Sequence, residues 1–286
     1  MADTKGIGFL EDKVDPFDPA RDDNAFVLSL LPYEETTTYR KGVAQAPEAI
    51  VDASSHLELF DETMKFDPSV NGILTVRPDI SDLASVTQHV RDIRKQYPGA
   101  FHGFIGGEHA LTPAIVEAFA DDGELGIVWI DAHADLRESF HGRTDNHACA
   151  GFNSLPFGPI VQIGVRTLAE EEWELIQGSD RVSTFMKWGQ EAREALETLP
   201  ERVYLTVDFD GFAPEVIRAV GTPEPGGLYW EDVMEVLATV FSTRKVVGFD
   251  AVELCPNPSD HTSDFIAARL VYKVLTYHAR HQQSGT

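Results

Sequence analysis

The feature that most narrows what this chain can fold into is an alternation sustained over almost its whole length. Short apolar, β-branched runs are separated by stretches with amphipathic helical spacing. Strands that are apolar throughout suit a sheet covered on both faces, and regular alternation with helices predicts that the sheet is parallel. Eight strands are expected, over 26–31, 72–76, 101–105, 126–130, 160–165, 181–185, 203–207 and 246–252. Helices are expected over 47–59, 83–97, 112–120, 169–177, 190–199, 230–241 and 264–278, with Asp82 and Ser263 as N-caps and Pro113 in a first turn. No internal repeat or linker-like tract divides this pattern, so residues 26–286 read as one domain, preceded by an acidic N-terminal arm over 1–25.

Charge limits the partners. Asp and Glu number 47 against 23 Lys and Arg, a net −24, so a nucleic acid would be repelled. The same excess either draws in a cationic substrate or reflects only solubility or a salty cytoplasm. No apolar run reaches bilayer length and no secretory pattern opens the chain, so no membrane partner is expected and a cytoplasmic location follows. The two cysteines, Cys149 and Cys255, are too few for a disulfide framework and are expected as thiols.

In open parallel sheets ligands bind beyond the carboxyl ends of the strands, which directs attention to three polar loops, 133–157, 208–227 and 254–263. The first begins where an apolar strand runs into Asp131-Ala-His133-Ala-Asp135. In extended chain these three side chains share a face, and such an acidic surface beside a buried strand is costly without a cation. A second strand ends in Asp208-Phe-Asp210, and Gly106-Gly107-Glu108-His109 turns sharply after a third to present His109. Two imidazoles and four carboxylates make a hard, oxygen-rich set suited to two divalent ions such as Mn²⁺ rather than to structural zinc.

Two such ions, about 4 Å apart in typical two-metal enzymes, lower the pKa of a shared water so that hydroxide exists near neutrality, and hydrolysis is the expected chemistry. A guanidinium carbon would further need an anion to orient the planar cation, for which Glu253 at the end of the last strand is the candidate. Asp250, in the same strand, is expected to meet a backbone group or helix end and is given no catalytic role. A histidine should protonate the leaving amine. His141 and His147 both lie in the first loop and both are candidates for contact with the substrate; His147 is preferred as the acid or shuttle. Asp135 is placed beside His147 and Glu253 among the catalytic residues.

In their order, Gly-Gly-Glu-His109, Asp131-Ala-His133-Ala-Asp135 and Asp208-Phe-Asp210 resemble the arginase and agmatinase family, the ureohydrolases. The segments from Pro32 to Gly42 and from Gly221 to Gly227 are similar as well, so the resemblance spans Pro32 to the C-terminus. It implies a three-layer α/β/α fold of arginase/deacetylase type with an eight-stranded parallel sheet. It also implies two Mn²⁺ ions or another divalent pair, a bridging hydroxide, and assembly as a homotrimer or homohexamer. The family's metal ligands match His109, Asp131, His133, Asp135, Asp208 and Asp210; its guanidinium-binding Glu matches Glu253, and a His of its agmatinase-like members matches His147.

One departure stands out: the family usually has a third acid where this chain has Ala213 before Pro214, from which altered loop support is expected rather than lost metal. The loop lacks the Asn-x-His-Gly segment of arginases, which favours agmatine, cleaved to putrescine and urea, over arginine. Alternatives are another guanidino or formimino compound, as in arginases, guanidinobutyrases or formimidoylglutamases, and a catalytically silent regulatory homologue that binds metal.

Overall fold

The protein is seen in a computed structural model that describes residues 7–10, 13–14 and 26–284. The remainder of the expected N-terminal arm, like residues 285–286, lies outside the described residues. Where that segment is described it is held to the domain. Phe9 and Leu10 are buried, and their N–H groups donate to Thr75 Oγ1 at 2.8 Å and Ser54 Oγ at 2.7 Å.

Eight strands form one sheet: β1 (Phe26–Leu31), β2 (Ile73–Val76), β3 (Phe101–Gly106), β4 (Gly126–Ile130), β5 (Ile160–Ile163), β6 (Val182–Phe185), β7 (Arg202–Asp208) and β8 (Lys245–Val252). Every pairing is parallel, in the order β2-β1-β3-β8-β7-β4-β5-β6. Among the described residues eight α-helices accompany it: α1 (Ala46–Ser54), α2 (Leu83–Gln96), α3 (Leu111–Ala120), α4 (Ala150–Ser154), α5 (Glu170–Gly178), α6 (Gln190–Leu196), α7 (Trp230–Thr243) and α8 (Thr262–Ser284). Alternating strand residues feed two cores. Val128 and Ile130 belong to the core that residues of α1, α7 and α8 fill, whereas Ile127 and Trp129 belong to the one that residues of α2 and α3 fill, which makes the three layers.

Local chemistry explains where the elements depart from expectation. The helix expected over 47–59 stops at Ser54, whose hydroxyl donates to Val51 O at 2.6 Å while accepting the Leu10 N–H, a competition that favours leaving the helix. Asp82 caps α2 in a reciprocal box with Ser85. Ser263 is not a cap: it lies inside α8, and its hydroxyl accepts the N–H groups of Arg218 and Ala219 at 3.2 and 3.1 Å. The loop 133–157 is not wholly irregular either, since it contains a 3₁₀ turn, His147–Cys149, and α4. Both cysteines are buried thiols. Among the described residues no helix is long and apolar enough to cross a membrane.

The topology matters because β3, β8, β7 and β4 are neighbours at the centre of the sheet, so the segments leaving their carboxyl ends emerge side by side, about 5 Å apart per strand. Gly107 lets the first of these turn. Its N–H donates to Leu31 O at 3.0 Å and its carbonyl accepts the Glu253 N–H at 2.8 Å, while a Cβ there would sit 2.0 Å from Tyr33 O. Gly107→Ala should therefore force the backbone apart and destabilise the domain by at least about 2 kcal/mol, measured as a lower urea midpoint; an unchanged midpoint would show that the turn is not under this constraint.

Candidate metal centre and substrate cavity

The six expected ligands come together, although not by the extended geometry that their spacing suggested. β4 ends at Ile130, and Asp135 reaches the cluster through a left-handed turn, φ 52°. Asp210 lies in a 3₁₀ turn beyond β7, with its N–H on Asp208 Oδ1 at 2.7 Å. Regular strand would carry backbone amides past these acids. The turns instead aim amides at them: His133 N–H donates to Asp131 Oδ1 at 2.6 Å and Ala132 N–H to Asp210 Oδ1 at 3.1 Å.

His109, Asp131 and Asp135 each offer a ligand atom within 4.8 Å of the others, and so do Asp131, His133 and Asp210. Asp131 is common to both groups. Asp208 joins the first, with Oδ2 3.2 Å from His109 Nδ1. Burial disfavours charge on this scale, and the protons distribute accordingly. Burial, then the charge of neighbouring acids, pushes Asp135 and Asp208 well above the usual carboxylate range. Burial also opposes charge on His109 and His133, yet the acids around them outweigh it and raise both imidazoles far above their ordinary value.

Hydroxyl chemistry fixes what His109 can do. Asp250 is fully buried and accepts from Thr206 Oγ1 at 2.5 Å, Thr112 Oγ1 at 3.0 Å and Tyr204 OH at 3.0 Å, so it meets three hydroxyls rather than the backbone or helix end expected. With its one proton spent on Asp250, Thr206 accepts from His109 Nε2 at 2.9 Å. In the neutral ring that binds a metal, Nδ1 is thereby left with its lone pair; the atom is buried and without a hydrogen bond, 3.0 Å from Asp131 Oδ2 and 3.5 Å from Asp135 Oδ2. A lone pair aimed among carboxylate oxygens is the arrangement of a metal ligand whose second nitrogen is anchored from behind. The ring is also stacked on Trp129 at 4.3 Å, and Trp129 Nε1 donates to Asp131 Oδ2. This donor set fits divalent cations.

Above the cluster opens a cavity of about 230 Å³, lined by His133, Asp135, Asp208, Asp210, His147 and Glu253 from the expected set. Glu253 is held at φ 66° with Oε1 on the His109 N–H at 2.7 Å, and burial pushes its carboxyl up to about 8. Burial lowers His147 to about 4. His141 is exposed, packs on Phe140 and is not among the lining residues. The loop after β1 supplies Thr37, Thr38, Tyr39 and Arg40 to the rim.

Arg166 is a residue that no motif or spacing pointed to. Its guanidinium donates to the carbonyls of Gly164, Asp210, Gly211, Phe212, Glu224 and Pro225 at 2.8–3.3 Å. It thus ties the Asp210 turn to the segment before Gly227. Ala213, where altered support was expected, is fully buried and hydrogen-bonded through its backbone to Leu228.

A family model described as the Arginase family matches residues 24–276. The chain belongs to the arginase family. It is 36% identical over 281 residues to the N(1)-aminopropylagmatine ureohydrolase of Synechocystis sp., with 91% of each chain covered. It is 30% identical over 275 residues to the agmatinase of Pyrococcus horikoshii, covering 90% of this chain and 93% of the relative. The agmatine ureohydrolase of Thermoplasma volcanium superposes with a TM-score of 0.83 at 27% identity, over 98% of this chain and 97% of that one. The arginase-family chain is an agmatinase-like ureohydrolase, an enzyme of linear amidine C–N bonds.

In this arginase-family member Arg166→Met should free both tethered segments. Leaving carbonyls unpaired in a half-buried site costs about 2 kcal/mol or more, so limited proteolysis should cut within 209–228 faster than in the parent; equal cutting rates would rule out the tether.

Proposed function

We propose that this ureohydrolase cleaves agmatine to putrescine and urea with two divalent ions, Mn²⁺ in the native enzyme, held by His109, Asp131, His133, Asp135, Asp208 and Asp210. The observation that carries the proposal is His109 Nδ1, buried without a hydrogen bond among three carboxylates beneath a cavity that contains Glu253. When bound, the ions supply Lewis acidity and a water that ionises near neutral pH.

The chain's own groups do the rest. Glu253 faces the cavity with Oε1 already on the His109 N–H, so Oε2 and the second lone pair of Oε1 accept N–H groups of the planar guanidinium and hold its carbon over the cluster. Asp135 accepts a hydrogen bond from the attacking water. As the water oxygen bonds to the guanidinium carbon and the carbon–nitrogen bond to the alkyl amine breaks, His147 delivers a proton to the leaving nitrogen. The exposed position of His141 supports His147 in this role.

A second reading, hydrolysis of N(1)-aminopropylagmatine, is favoured by the name of the Synechocystis relative. The rim formed by Thr38, Tyr39 and Arg40 is the part of the cavity that would distinguish the two substrates. Residence in the cytoplasm and assembly as a homotrimer or homohexamer are part of the proposal.

Purified protein loaded with Mn²⁺ should release urea from agmatine, and chelation should abolish release. Absence of urea from either substrate, with two metals bound per chain, would contradict the proposal in favour of a silent relative. Glu253→Gln should lower kcat/KM by about 100-fold or more, and His147→Asn should lower kcat by a similar factor with little change in KM; activity within about twofold of the parent for either variant would remove that residue from the mechanism.

A further inference from the structure

A second carboxylate–threonine–histidine chain approaches the cavity, separate from the one behind His109. Glu108 is fully buried. Its Oε2 accepts the N–H groups of Glu35 and Thr36, each at 2.7 Å, and its Oε1 accepts the Thr36 hydroxyl at 2.7 Å. Thr36 Oγ1 in turn lies 3.1 Å from the backbone nitrogen of His147, whose N–H donates to it, and 3.0 Å from Nδ1 of the same ring.

A hydroxyl has one proton and two lone pairs, and a carboxylate only accepts. With the Thr36 proton committed to Glu108, the contact with the ring must be made by an N–H on Nδ1. We propose that Glu108, acting through the Thr36 hydroxyl, fixes His147 as the Nδ1–H tautomer and so reserves Nε2 for proton exchange with the substrate. Glu108 and Thr36 are positioning residues in this scheme, which rests on the role given to His147 in the proposed reaction.

The arrangement constrains the ring twice over, because the same oxygen holds both the backbone and Nδ1 of His147 and leaves little freedom for the side chain to turn. It mirrors the Asp250–Thr206–His109 chain with the opposite nitrogen anchored. There the hydroxyl leaves Nδ1 bare toward the acids; here it leaves Nε2 bare. The proton path then balances. Nε2 accepts a proton as the water oxygen bonds to the guanidinium carbon. It gives that proton to the alkyl-bearing nitrogen, which leaves with the electron pair of the broken bond. The proton remaining on the new oxygen is lost to the departing amine as the carbonyl of urea forms. Thr36 belongs to the loop that supplies Thr37 to Arg40 to the rim, so the loop that shapes the mouth also sets the tautomer.

Neutron diffraction from metal-loaded protein in D₂O reads the deuterons directly. A deuteron on His147 Nδ1 directed at Thr36, with the Thr36 deuteron directed at Glu108, is expected whether or not Nε2 also carries one. A bare Nδ1 accepting from Thr36 would overturn the proposal. In urea release, Thr36→Val, which keeps the shape and removes the hydroxyl, should lower kcat about tenfold while KM and bound metal stay within about twofold of the parent. Thr36→Ser should restore most of the loss, which separates a missing hydroxyl from a misfolded loop. Full activity of Thr36→Val would sink the relay alone, whereas full activity of His147→Asn would instead sink the assigned role of His147.

Discussion

Four aspartates brought within ligand distance of one another repel, and most of what surrounds them answers that repulsion. Asp131, Asp135, Asp208 and Asp210 are all buried, where unscreened charges interact more strongly than at the surface. Backbone amides of the turns supply part of the compensation, the two imidazoles supply more, and Arg166 braces the carbonyl side of the turn that carries Asp210. Burial first, and the neighbouring acids after it, still hold Asp135 and Asp208 above the usual carboxylate range. A packed sheet makes such crowding sustainable, because the acids leave in two pairs, Asp131 and Asp135 beyond β4 and Asp208 and Asp210 at the end of β7, from neighbouring central strands.

Hydroxyl groups give the arrangement its direction. A carboxylate cannot donate, so each threonine between a buried acid and a histidine must spend its proton on the acid and accept from the ring. Asp250 and Glu108 therefore act at a distance, and neither lines the cavity. The outcome differs at the two histidines because different ring nitrogens face the threonines. His109 turns Nδ1 to the acids, whereas His147 meets its threonine through Nδ1 and leaves Nε2 free of it, which in the proposed reaction separates holding cations from moving protons.

Much of the architecture was legible in the sequence because it depends on local pattern. Strands apolar on both faces announce a covered parallel sheet, and acids just beyond such strands stand out because burial makes them costly. The convergence of His109, Asp131, His133, Asp135, Asp208 and Asp210 followed from that reasoning, although the means did not. The left-handed turn at Asp135 and the 3₁₀ turn at Asp210 replaced the extended chain assumed for them. Thr36 and His147 are 111 residues apart, Glu108 and Thr36 are 72 apart, and Arg166 gathers carbonyls up to 59 residues away. No periodicity records such contacts. Asp250 was visible in the sequence but not its partners, since a buried acid in a strand looks the same whether it meets a hydroxyl or an amide.

The central claim is that the strand ends form one site for two cations that share Asp131. Anomalous diffraction from a crystal grown with Mn²⁺ tests it most directly. The account predicts two peaks, one among His109, Asp131, Asp135 and Asp208 and one among Asp131, His133 and Asp210. A single peak, or Mn²⁺ bound elsewhere with His109 Nδ1 coordinating nothing, would contradict it.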